Sequence, residues 1–334
     1  MTTSKTSPWF QSIALIVFLS VLFVSRYMVI LTLIGVGIGV LLTPILDRAQ
    51  TLFKLKRGYA ALLVFVTFLL SSLALLLAFG WIIVDQANAF VAGFPELSLN
   101  VQSQLERLFN NFPWLRSYIQ NIDMSDGLKT LLFTVGSGAH DGLAAFGGAV
   151  VAIFIGLYLA VEADYYFRGF LRAVPAAYQK RTEHILSRCG KVTQTWFVGQ
   201  LLDMAIIGLL TTAGLWLVGV DYWAFFGLLT AIFGIIPYVG TLIVVVAVSL
   251  VTLATDIQQI PWVLLVFFIT QQIEGNILLP MVMKAQVQIP EALLVIAMLF
   301  FGFWFGLLGV FIATPLTAIL LCLYHELYLV EKTL

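Results

Sequence analysis

Residues 59–84 read YAALLVFVTFLLSSLALLLAFGWIIV, without one charged side chain. About 20 consecutive apolar residues carry an α-helix through the hydrocarbon core of a bilayer. This run is therefore a transmembrane helix, and the residues on either side repeat the pattern. Upstream, apolar runs at 10–25 and 27–46 are separated by little more than Arg26. The first is short, yet it lacks the charged start and small-residue cleavage site of a removed signal peptide. Downstream, 142–161, 196–218 and 262–279 are further apolar runs. The whole chain agrees: 61% of residues are hydrophobic and 10% charged, with a mean hydropathy of +1.03. A soluble domain carries about 25% charged residues. The expected fold is all-α, a polytopic helical membrane protein.

Formal net charge is zero, so no global field attracts nucleic acid or an acidic partner. Cys189 and Cys322 lie far apart in sequence and form neither a disulfide framework nor a metal-ligand spacing. No phosphate-binding loop, paired-histidine metal motif or nucleophile–base arrangement is legible. His140 and His184 fall in polar stretches and His325 near the end. The expectation is a non-enzyme without cofactor or metal.

Between the spans lie two polar stretches. Residues 85–141 contain Pro95, Pro113 and apolar side chains at helical intervals: Leu105, Leu108, Phe109, Phe112, Leu115 and Ile119. That spacing predicts an extramembrane subdomain of amphipathic helices. Residues 162–195 form a second connection. The organisation expected is thus a three-span region at 1–84, an extracytoplasmic subdomain at 85–141 and a transport region at 142–334.

In the last third the apolar runs become short and broken. Runs at 222–236 and 241–254 are joined by Pro237-Tyr238-Val239-Gly240. The run 262–279 ends at Pro280, and 291–322 is interrupted by Gly302, Gly306, Gly309 and Pro315. Short hydrophobic segments interrupted by Gly or Pro point to the binding region of a transporter, although Gly and Pro are common in membrane helices anyway. Hairpins are expected over 222–254 and 290–322, turning near Pro237–Gly240 and Gly302–Gly306. Phe226-Gly227-Leu228-Leu229 before Pro237 echoes Phe305-Gly306-Leu307-Leu308 before Pro315. Either a pseudo-repeat or chance similarity between Phe/Leu/Gly-rich helices accounts for the echo.

Two carboxylates stand inside apolar sequence. A charge at the bilayer centre costs about 2.5–3.5 kcal/mol on insertion scales, so such residues face a cavity or a partner. Asp203 follows Gln200 in the span 196–218. Glu274 lies in Gln271-Gln272-Ile273-Glu274-Gly275-Asn276. On a helix Gln271, Glu274 and Gly275 share one face, with Gln272 and Asn276 on the adjacent one. Such a stripe suits a hydroxylated solute, a cation or a proton relay; it also suits hydrogen bonding between helices.

The run from Gln271 to Pro280 resembles the signature of the autoinducer-2 exporter (AI-2E) family of permeases. Ile236-Pro237-Tyr238-Val239-Gly240 resembles that family's turn, and the segment from Phe305 to Leu316 its Gly-rich final helix. Pro175, Arg181 and Gly199-Gln200 fall in family-like order, whereas Asp203 is no family hallmark. The resemblance implies a homo-oligomeric transporter of the bacterial inner membrane with broken-helix hairpins. It implies export of a small polar solute, autoinducer-2-like; other members are described as sodium/proton antiporters. With no nucleotide-binding motif in the sequence, transport is expected to run on an ion gradient or the solute's own gradient, without ATP. A non-transporting scaffold or accessory subunit is the alternative from another class. Its partners would be a small polar solute or Na+/H+, and the lipid bilayer, with no nucleic acid.

Orientation follows from basic residues, which concentrate in cytoplasmic loops. Residues 47–58 carry Arg48, Lys54, Lys56 and Arg57, and 162–195 carry Arg168, Arg172, Lys180, Arg181, Arg188 and Lys191. The longer stretch 85–141 has Arg107, Arg116 and Lys129. Both basic loops and both termini are therefore predicted to be cytoplasmic, with 85–141 outside. A cysteine introduced at Asn110 should react with an impermeant maleimide added outside; reaction from the cytoplasmic side alone would invert the topology.

Overall fold

The computed structural model describes residues 25–111, 138–236, 239–278, 280 and 289–329. Residues 10–24 of the first expected span, 10–25, and the turn residues Pro237 and Tyr238 lie outside them. Among the described residues nine α-helices follow in order: α1 Arg26–Phe53, α2 Arg57–Asn111, α3 Gly138–Val161, α4 Ala163–Arg172, α5 Gln179–Val218, α6 Trp223–Phe233, α7 Val239–Thr255, α8 Ile260–Ile273 and α9 Glu291–Tyr324. Among the described residues five helices are long and apolar enough to cross a membrane, or six if the bent pair α3–α4 is one span. The described residues are thus those of a polytopic helical membrane protein.

Several helices outrun their predicted apolar runs. The polar stretch begins at Asp85, but no helix ends there: α2 runs on to Asn111, 55 residues in all, with Pro95 inside it. The reason is a second apolar face. Phe90, Leu97 and Val101 are buried and Phe94 partly so, at the i, i+4, i+7, i+11 spacing of one helical stripe. Packing of that stripe offsets the single backbone hydrogen bond lost at Pro95. Likewise 162–195 is helical rather than a loop: it comprises α4, a 3₁₀ turn at Ala176–Tyr178 and the first part of the 40-residue α5.

The helices form two compact units, each drawing on distant parts of the chain. One comprises Met1–Gly58, Gly147–Gln194 and Val287–Leu334; the other comprises Tyr59–Phe146 and Thr195–Gln286.

In the first unit α1 and α3 approach through small residues. A side chain at Gly35 would meet Ile155 Cγ2 at 2.6 Å, and one at Gly156 would meet Ile38 Cγ2 at 2.6 Å. Close backbone approach of this kind is what small residues permit in membranes, where the hydrophobic effect no longer drives helices together. At the α1–α2 corner Arg57 Nε donates to Ala160 O at 3.0 Å, and its guanidinium lies 3.4 Å from Asp47 and 3.9 Å from Asp164. The basic segments 47–58 and 162–172 therefore meet at one end of this unit. Cys189 and Cys322, far apart in sequence, are buried in one cluster with Ile185, Val192 and Ala318. Beside it Arg188 Nε sits 3.0 Å from Glu326, and His184 lies 3.9 Å from the same carboxylate.

Helix α9 is a hairpin. Gly306 has φ 65° and ψ −148°, a combination open essentially to glycine alone. It separates two apolar limbs, Glu291–Gly306 and Leu308–Tyr328. Leu294 and Met298 on the first limb pack with Ala313 on the second, and Gly309 abuts the carbonyl of Phe301. The expected turn between Gly302 and Gly306 is thus found at Gly306. Pro315, grouped with the turns, instead lies inside the returning helix. Gly302 stands beside Val310, and a Cβ there would meet Val310 Cγ2 at 2.9 Å.

The second unit contains the other hairpin, α6 and α7: regular helix stops at Phe233 and resumes at Val239. Gly240 abuts the Phe233 carbonyl, so the chain reverses tightly. The sequence echo does not survive as structural equivalence. Gly227 lies inside α6 against Thr212 of α5, whereas Gly306 forms a turn.

Gly306→Ala places a Cβ on a backbone that costs a non-glycine residue about 1–3 kcal/mol. Gly240→Ala and Gly309→Ala drive one into a backbone carbonyl, and overpacking costs about as much. All three should lower the thermal midpoint of the detergent-solubilised protein by several degrees. Gly190→Ala, with nothing within 4 Å, should leave it within about a degree; equal effects in all four would remove the basis for both turns.

Candidate functional site

The site lies in the second unit, around one turn of α5. Gln200 and Asp203 occupy that turn, three residues apart, and each reaches a different broken segment. Gln200 Nε2 donates to Gly234 O at 3.0 Å, the carbonyl at which α6 stops. Asp203 lies within electrostatic range of Glu274. One helical turn therefore ties the α6–α7 break to the polar end of α8.

That polar end is not ordinary α-helix. Regular α8 stops at Ile273, and Glu274–Leu278 continue as one π-helical stretch. Such bulges recur at functional sites, because the wider turn releases backbone groups and redirects side chains. Gln271 Nε2 donates to Glu274 Oε2, and Asn276 Nδ2 donates to Gln272 Oε1 at 3.3 Å. The two adjacent faces expected from helical spacing are both realised as hydrogen-bonded pairs. Glu274 and Asp203 are half-buried, while Gln271, Gln272 and Asn276 are exposed in the single chain. Pro280 is also exposed. Turn residue Gly240 is buried; Gly302, Gly306 and Pro315 belong to the other unit.

The opposite end of α6 is closed by a residue the sequence did not single out. Gln86 Oε1, from α2, accepts from Ala224 N at 2.9 Å and Phe225 N at 3.2 Å. The first four N–H groups and last four carbonyls of a helix lack partners within it. Inside a bilayer no water replaces them. α6 is only 11 residues long, and it is held at both ends by a glutamine amide, an acceptor at its start and a donor at its finish. No spacing rule connects Gln86 to residues 138 and 139 positions away.

Among the described residues no three His, Cys, Asp or Glu side chains converge to hold a metal ion. Asp203 and Glu274 are two carboxylates within electrostatic range of one another. The cavity between α2, α6 and α7 is of another kind. It measures about 70 Å³ and is lined by Phe90, Phe94, Phe225, Phe226 and Val244. Its lining residue Ser98 already donates to Pro95 O at 2.7 Å. It presents no polar group to a hydrophilic ligand.

Membrane-spanning helices, two helical hairpins and a carboxylate–amide cluster beside one of them define a polytopic membrane protein of transporter type. The chain belongs to the AI-2E family of transporters, whose family model matches residues 12–328. It is 25% identical over 256 residues to "Putative transport protein YrrI" of Bacillus subtilis (strain 168), covering 72% of each chain. It is 23% identical over 278 residues to "Putative transport protein YueF" of the same organism, covering 80% of this chain and 75% of that one. A similarly named protein of Synechocystis sp. is 28% identical over 280 residues, with 78% and 68% covered.

Gln86→Leu and Gln200→Leu each strip one end of α6 of its side-chain partner. An unsatisfied buried polar group costs about 1–3 kcal/mol. Each variant should therefore melt several degrees below wild type in detergent. Melting unchanged in both would mean that the amides do not hold the helix.

Proposed function

We propose that the chain is a secondary transporter of the bacterial inner membrane that exports a small polar solute, autoinducer-2-like, without ATP. The observation that carries this reading is the cluster of Gln271, Gln272, Glu274 and Asn276 at a π-helical break inside an apolar span. Amides and a carboxylate supply the mixed donors and acceptors that replace water around a hydroxylated solute. The family and its relatives are named for transport, which supports the class; the solute is inferred from the chemistry of the cluster and the family resemblance.

A second reading is favoured by one further feature, the placing of Asp203 within electrostatic range of Glu274. Two carboxylates in electrostatic range hold a shared proton or a cation better than either alone. In sodium/proton antiport the proton and the cation would compete for this pair. Exposure of Gln271, Gln272 and Asn276 in the single chain suits either a cavity or a contact between copies in a homo-oligomer.

Glu274→Gln keeps the shape and removes the titration. In proteoliposomes under antiport, sodium-dependent proton flux should fall at least tenfold while assembly is preserved. Under solute export, efflux should persist in part with a weaker pH dependence. Wild-type flux of both kinds at every pH would exclude Glu274 from the site, and failure to assemble would make it structural.

A further inference from the structure

Helix α4, Ala163–Arg172, takes no part in the site above. It leaves α3 through the single residue Glu162 and is bent by 74° from Gly147–Val161. A span crossing the bilayer near its normal therefore directs α4 close to the bilayer plane. The elbow is held: Arg57 reaches Ala160 O on one side of it and Asp164 on the other.

The side chains of α4 are sorted for such a position. None is buried. Tyr166 and Phe170, an i, i+4 pair, are 48% and 55% exposed. Arg168 and Arg172, another i, i+4 pair on the far side of the helix, are also exposed. Phe167 and Leu171 are partly covered. The α1–α2 corner tied to the elbow adds exposed Arg48, Lys54 and Lys56, together with exposed Leu52 and Phe53. The acids here are Glu162, which is exposed, and Asp47 and Asp164, both beside Arg57. Arginines next to exposed aromatic and aliphatic side chains, at the end of a span, match the layering of phosphate over acyl chain.

We propose that α4 is an interfacial anchor for anionic phospholipid of the bilayer the chain itself spans. Tyr166 and Phe170 enter the acyl boundary; Arg168 and Arg172 bind headgroup phosphates. The bend of α3–α4 holds the axis of α4 near one depth, with the aromatic pair facing the acyl chains and the arginine pair facing the headgroups, so the elbow at Glu162 marks the membrane surface.

The test uses nitroxide labels on the full chain at Phe170→Cys and, separately, Arg168→Cys. Cys189 and Cys322 are buried, and wild type taken through the same labelling gives the background. The protein is reconstituted in vesicles of phosphatidylglycerol or of phosphatidylcholine. In phosphatidylglycerol the label at 170 should be relaxed by lipid-dissolved oxygen and not by a water-soluble nickel chelate, and the label at 168 the reverse. The oxygen preference at 170 should fall on the order of tenfold when Arg168→Gln and Arg172→Gln are added, or in phosphatidylcholine. A label at 170 relaxed by the nickel chelate in phosphatidylglycerol overturns the proposal. So does shielding from both relaxants, which would mean that a second copy covers α4, and so does burial indifferent to lipid charge and to both arginines. Retention of phosphatidylglycerol over phosphatidylcholine by the wild-type protein in native mass spectrometry is expected alongside; equal retention counts against the anchor.

Discussion

A helix that stops inside a bilayer strands its terminal N–H and carbonyl groups where no water can reach them. The second unit depends on how that cost is met. α6 can be short only because Gln86 accepts from its first residues and Gln200 donates to the carbonyl at its end. Because α6 can be short, the chain can turn after Phe233 and return as α7 from Val239. Because it turns there, the break sits beside the same turn of α5 that carries Asp203, which lies within electrostatic range of Glu274. The amide group suits both ends of the helix. One side chain type serves as acceptor at the start and donor at the finish, with no charge to bury.

The first unit meets a similar demand differently. At Gly306 the reversal is made by a backbone conformation that excludes a β-carbon, and Gly309 lets the returning limb touch the Phe301 carbonyl. The limbs then zip through Leu294, Met298 and Ala313. One hairpin is thus specified by local sequence and the other by side chains from remote helices. Only the local kind can be seen by inspecting the hairpin itself.

The same distinction explains what was legible in the sequence. The span at 59–84 and the broken runs at 222–254 and 290–322 are local patterns of apolarity and punctuation, and both hairpins appear where the punctuation falls. The polar stripe is equally local: Gln271 with Glu274 and Gln272 with Asn276 follow from helical spacing, and both pairs are bonded. The continuation of α2 beyond Asp85 was hidden because its second stripe is buried in a cluster with residues of α5, α6, α7 and α8, which follow far along the chain. The convergence of Cys189 and Cys322 was hidden for a related reason, since sequence distance says nothing of spatial distance. Polarity at 162–195 suggested a loop, but amphipathic helices such as α4 are polar on average too. The π-helical stretch at Glu274–Leu278 left no trace in residue type.

The Gln86 contact also has a temporal side. Its partners are synthesised 138 and 139 residues later. At roughly 5–20 residues per second, the ribosome needs on the order of ten seconds to supply them. Throughout that interval the upstream helix is already made while its amide oxygen has nothing in the protein to cap. A residue that must wait this long is best kept where solvent can attend it, at the edge of the apolar run ending at Val84 rather than in its middle. The order of translation thus constrains where along a membrane helix such a clamp can be placed, and it makes closure of the second hairpin a late event in the birth of the molecule.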